Sequence, residues 1–144
     1  MPNHCVNTLY LPENAVYEIT GKYVTKDERG ESVFDFEKIA PIGDVPDWYE
    51  QRLKKWGTKW IGYDLSVGET YIAFLTAWAP PLPVIKKLAE LHPEITFHLD
   101  YYEPGMGFRG VAIARWNDGE AVLEDNCWDM TDKDLDELGL LDCE

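Results

Sequence analysis

The residues predict an α+β domain: an antiparallel sheet with helices on one face. Three observations carry this. The chain has 144 residues, 45% hydrophobic and 13% aromatic, enough for one domain with a core that needs no disulfide staples. Residues 95–102 alternate strictly, with Ile95, Phe97, Leu99 and Tyr101 on one face and Thr96, His98, Asp100 and Tyr102 on the other. Strand-like and helix-like segments follow one another in an order that closes a single sheet.

The first strand is residues 4–11, where Val6, Thr8 and Tyr10 alternate with Asn7, Leu9 and Leu11 before Pro12. A short helix over 13–20 leads to the polar turn Lys26–Gly30, and Phe34, Phe36 and Ile39 are spaced for burial ahead of a Pro/Gly loop. Asp47 is placed to cap a helix over Trp48–Trp56 whose apolar face is Trp48, Leu53 and Trp56, with Gly57 behind it. Residues 60–66 and 69–78 read as a hairpin whose second strand, holding Tyr71, Ile72, Phe74 and Leu75, is central. Val84, Ile85, Leu88 and Leu91 recur at helical spacing over 83–92, between Pro83 and Pro93. Residues 108–116 pair back on 95–102, and 120–124 add a further strand. Thr131 with Asp134 forms a capping box for a short acidic helix that Gly139 ends. The first six elements match the β-α-β-β-α-β order of ferredoxin-like folds. Cys5, Cys127 and Cys143 are too scattered for an iron–sulfur cluster, a zinc ribbon or a disulfide framework.

Charge divides the chain. Residues 117–144 hold 11 acids against Lys133 alone, a net of −10, whereas the other 116 residues net −4. The expected organisation is a ferredoxin-like domain over 1–116 with an acidic extension, 117–144, packed on or beside it. The overall −14 repels phosphates, so neither direct nucleic-acid binding nor a nucleotide cofactor is expected. Met1–Cys5 lacks the basic start of a signal peptide, and no apolar run reaches the ~20 residues of a membrane helix.

Five stretches in order carry a family likeness: Pro2-Asn3-His4-Cys5 with Asn7; Phe34-Asp35-Phe36 with Lys38-Ile39 and Pro41; Trp56-Gly57-Thr58-Lys59-Trp60; Thr76-Ala77-Trp78 with Pro80-Pro81; and Glu103-Pro104-Gly105-Met106-Gly107-Phe108. Over residues 2–108 the chain resembles the YubB-like family of phage- and plasmid-encoded proteins, departing from its pattern at His4, where Trp is expected. The resemblance implies a ferredoxin-like domain of unknown function, a mobile-element origin and a host cytoplasm. It implies no reaction and no catalytic residues.

Several candidate sites compete. Gly105, Gly107 and Gly110 spell G-x-G-x-x-G, but a strand follows instead of the helix a dinucleotide loop needs, so a hairpin turn is the better reading. Trp56, Trp60 and Trp78, with Met106 and Phe108, fit core and hinge packing first. They are also the best candidate for a groove that takes an apolar or peptide ligand. His98 and Asp100 share a strand face and, with the Gly105–Gly110 loop, mark where a small enzyme's site would lie; a solvated sheet face explains them more simply. Arg52, Lys54, Lys55 and Lys59 form the one basic cluster and read as a solvated helix face. Asp125–Asp136 has EF-hand length but Met130 where glycine belongs and no terminal Glu. No metal or other cofactor is expected.

The acidic set Asp118, Glu120, Glu124, Asp125, Asp129, Asp132, Asp134, Asp136 and Glu137 admits one sharper reading, mimicry of DNA against a host defence or DNA-processing protein. The helix over Asp132–Leu138 spans about 10 Å with a net −3, where duplex DNA carries about six charges. It is too dilute unless the other acids share its face. The favoured reading is a non-enzymatic interaction protein with a protein partner, acting through the aromatic groove, the acidic segment, or both.

Overall fold

The computed structural model describes residues 3–139; Pro2 of the first family-like stretch, Leu141, expected to pack beside Leu135 and Leu138, and Cys143 lie outside them. Strand β1 (His4–Tyr10) leads into helix α1 (Glu13–Tyr23), three residues longer than its sequence signal. A small hairpin follows, β2 (Val24–Lys26) and β3 (Ser32–Phe34), then a 3-10 turn (Phe36–Lys38) and helix α2 (Trp48–Lys55). Strands β4 (Tyr63–Val67) and β5 (Tyr71–Ala77) form the expected hairpin, helix α3 (Leu82–Leu91) crosses back, and β6 (Phe97–Glu103), β7 (Phe108–Asn117) and β8 (Glu120–Asp129) complete the sheet. Helix α4 (Asp132–Glu137) carries the expected capping box between Thr131 and Asp134.

Six strands run antiparallel in the order β4-β5-β1-β6-β7-β8. Alternation decides which face is covered. Cys5, Leu9, Ile72, Phe74, Phe97, Leu99, Tyr101, Ala112 and Ala114 point to one side and join Ala15, Val16 and Ile19 of α1 and Val84, Ile85, Leu88 and Ala89 of α3 in a single core. Each aliphatic side chain removed from water there contributes about 1.5–3 kcal/mol. The opposite face, with Tyr10, Tyr71, His98, Asp100, Tyr102 and Arg109, stays partly open to solvent. Helix α4 sits on that second face, because its Asp134 holds Arg109 and Trp128, which oppose one another there.

Three expectations are corrected. The hairpin β2–β3, read only as a turn, is tied to the main sheet by a bridge from Phe34 to Gly62. A Cβ at Gly62 would stand 2.9 Å from both Phe34 and Phe74, so only glycine allows that approach. Strand β8 runs ten residues, not five, paired with β7 along its whole length. Helix α2 buries no residue: Trp48 and Leu53, its expected apolar face, are exposed, and Asp47 accepts from the Gln51 side chain rather than capping a backbone N–H.

Candidate binding site

A cavity with mainly apolar walls lies between the small hairpin, the approach to β4 and the start of β1. In the hairpin turn, Asp27 Oδ1 accepts the backbone N–H groups of Glu31 (3.0 Å) and Arg29 (2.9 Å). Those bonds, Glu31's first, hold its carboxyl below the usual range. The turn presents Arg29, whose guanidinium stands 3.7 Å from both Asp27 and Glu31. Opposite, Tyr63 meets the His4 ring edge-on at 5.6 Å, with its hydroxyl 2.5 Å from Nδ1. Trp60 forms a wall and is 48% exposed. Arg52 stands beside it: its guanidinium lies 4.7 Å from the Trp48 ring, 5.0 Å from Trp56 and 5.9 Å from Trp60, and donates to Lys59 O at 3.0 Å. With Val33 and Ile61, these groups line an open cavity of about 440 Å³, mainly apolar, with Arg29, Asp27, His4 and the Tyr63 hydroxyl as the polar groups.

The structure splits the expected aromatic groove. Trp56 is 1% exposed, packed on Phe36 with its Nε1–H donated to Ala40 O at 2.8 Å; it is core. Trp60 alone lines the cavity. Trp78 is 42% exposed beyond the end of β5, held by its N–H to Asn3 O, with a positive φ of 69°. Met106 is exposed in the β6–β7 turn, and Phe108 packs edge-on against Tyr101.

The acids divide as well. Asp134 is buried and accepts from Thr131, Trp128 and Arg109, while Glu137 accepts from Arg109 at 3.0 Å. The backbone N–H of Thr131, foremost, holds the Asp134 carboxyl below the usual range. Asp125 accepts from the Tyr101 hydroxyl at 2.6 Å, and burial together with that bond pushes the phenol far up. Glu124 lies 3.8 Å from Arg115. Asp118 and Glu120 mark one end of the β7–β8 hairpin and Asp129 the other, about 30 Å apart at ~3.3 Å per residue. Asp132 and Asp136 are exposed on α4. The set therefore spans two elements and both sheet faces instead of one dense patch.

His98 donates its Nε2–H to Asp100 Oδ1 at 2.8 Å, half-exposed on the open sheet face, with Tyr10 edge-on beside it. The Gly105–Gly110 segment is a hairpin turn: the buried Glu103 carboxylate accepts the N–H groups of Gly105 and Met106, and β7 follows. In the basic cluster, Arg52 is engaged by rings and Lys55 by Pro41 O. Sequence reasoning missed His4, Asp27, Arg29, Val33, Ile61 and Tyr63 as one site, because they come from three separate stretches. Trp60, in its Trp-Gly-Thr-Lys-Trp motif, was the one visible signal. It also missed Glu18, His92 and Glu94, which the fold gathers into a set able to hold a metal ion.

Residues 55–138, more than half of the chain, match the family model described as a ferredoxin-like domain in Api92-like protein. The chain belongs to that family. The match runs through β8 and α4, so it includes acidic residues that the YubB-like resemblance leaves outside. No curated protein and no solved structure gives a significant match. Among the described residues, no helix is long and apolar enough to cross a membrane.

Proposed function

We propose that this ferredoxin-like domain is a protein-binding module whose recognition site is the Trp60 cavity. The observation that carries it is a half-exposed tryptophan with an arginine 5.9 Å from its ring, at the wall of an apolar cavity with Tyr63, Arg29 and His4 around it. Tryptophan, tyrosine and arginine in such settings supply most binding energy at protein interfaces. The cavity suits one large apolar side chain of a partner, and the −14 charge disfavours a phosphate-bearing one. The mobile-element origin and host cytoplasm implied by the YubB-like resemblance belong to this proposal, with a host or phage protein as the partner.

A catalytic role around His98 and Asp100 has weaker support, since that pair is solvated and satisfied within its own strand. The mimic reading is weakened by dispersal: Asp134, Glu137 and Asp125 are used internally. The acids left on the edge strand β8 have a simpler purpose, blocking sheet-to-sheet pairing.

The test is comparative capture from host lysate. Wild type should retain a protein that Trp60→Ala loses and that Asp132→Lys/Asp136→Lys keeps. Loss in the charge-reversed variant alone would favour the mimic, and capture unaffected by Trp60→Ala would reject the cavity.

A further inference from the structure

We infer that Glu18, His92 and Glu94 form a binding site for a first-row divalent transition-metal ion, made of residues that the Trp60 cavity does not use. The site begins with His92. It closes the C-terminus of α3, its N–H bonding Leu88 O at 2.8 Å, and its own C=O accepts from Ile95 N at 3.0 Å, so its backbone is fixed on both sides. Its side chain is buried, at 4% exposed. The Tyr23 hydroxyl, at the end of α1, lies 2.7 Å from Nε2 and the two rings meet edge-on. That contact fixes the ring and leaves Nδ1 facing outward.

Two carboxylates flank Nδ1, Glu94 Oε1 at 3.8 Å and Glu18 Oε1 at 4.0 Å. Neither is within hydrogen-bond distance, which is how a simple His–carboxylate pair would settle. The three ligand atoms lie within 4.8 Å of one another. A zinc-like ion bonds nitrogen and carboxylate oxygen at about 2.0–2.2 Å, so ligand atoms around it stand about 3.4 Å apart at the tetrahedral angle. Glu18 and Glu94 are exposed and free to close the remaining gap, although Glu18 also meets Lys22 at 3.7 Å on the helix surface. One imidazole and two carboxylates select zinc, manganese, nickel or iron over the alkaline earths, through the nitrogen. The Tyr23 hydroxyl plays the part that outer partners of metal-bound histidines play. The overall −14 raises the local cation concentration. An ion there would pin α1 to the end of α3. No spacing rule reveals this set, because residue 18 of α1 meets residues 92 and 94, just past the end of α3, only through the tertiary fold.

The experiment uses full-length protein stripped with a chelator and titrated with zinc by calorimetry, with thermal unfolding followed in parallel. The expected result is one ion per chain and a zinc-dependent rise in Tm. Glu18→Gln and Glu94→Gln, both surface changes that leave the fold intact, should each weaken binding at least tenfold. Tyr23→Phe should weaken it by about 10–100-fold, the usual effect of losing such a partner. Asp132→Asn/Asp136→Asn should leave affinity unchanged, which separates the site from general attraction to an acidic protein. Absence of stoichiometric binding, or binding that Glu18→Gln/Glu94→Gln leaves intact, would overturn the inference.

Discussion

At the scale of single residues, the three tryptophans of the family-like motifs have three different fates, and each predicts a different cost. Trp56 fills the core, so Trp56→Ala should destabilise by about 3–5 kcal/mol in chemical denaturation. Trp60 is held from outside the core, and Trp60→Ala should cost no more than about 1 kcal/mol. Trp78 was expected to be buried at the end of an apolar strand; it is instead exposed with left-handed backbone. A non-glycine residue in that region costs about 1–2 kcal/mol, so Trp78→Gly should retain more stability than Trp78→Ala. The reverse order would show that the side chain, not the backbone, governs the position. Gly110 is a further case. Its absent side chain lets Tyr101 lie across β7 to reach Asp125, and a Cβ there would come 2.3 Å from the phenol. Gly110→Ala should cost about 1–3 kcal/mol as overpacking, seen as a lower denaturation midpoint.

Single elements show why some structure was legible and some was not. Strand β6 was readable because one side is buried and the other wet, which is what alternation records. Helix α3 was readable because Val84, Ile85 and Leu88 face the core, although Leu91, at the same spacing, is exposed. Helix α2 misled because its tryptophan and leucine positions mimic an apolar face, while the helix buries no residue and Arg52 lies over the Trp48 ring. The full length of β8 was legible but unread: Asp118 and Gly119 both have positive φ, at 50° and 84°, as a two-residue hairpin turn requires, and Asp-Gly is its usual sequence. Strands β2 and β3 are three residues each, too short for any periodicity.

Helix α4 yields a pH prediction. Its anchor Asp134 has a carboxyl held below the ordinary value, so its contribution is present at neutral pH and is lost only as pH falls through that lowered value. Trp128 fluorescence should therefore stay constant down to about pH 4 and change below it, whereas Asp134→Asn should remove that step. A transition near pH 6 would contradict the assignment. The same contacts show that charge reversal, when used to probe the acidic surface, belongs at Asp132 and Asp136 and not at the structural Asp134.

For the whole molecule, the antiparallel sheet with α1 and α3 packed on one face followed from element order, because consecutive elements pack as neighbours, whereas α4 lies on the other face. The binding site did not follow. Of the five aromatic and sulfur residues expected to line a groove, only Trp60 reaches the cavity, and its other walls come from β1, the small hairpin and the start of β4. Alternation and periodicity report burial; they are silent on which exposed side chains converge. The most direct measurement is the affinity of the captured partner for wild type, Trp60→Ala and Asp132→Lys/Asp136→Lys, each across a salt series. Recognition through the Trp60 cavity predicts at least a tenfold loss for Trp60→Ala, little change on charge reversal and a shallow dependence on salt, since apolar contacts are not screened. A steep fall with salt, abolished by charge reversal and indifferent to Trp60→Ala, would contradict it and assign recognition to the acidic surface.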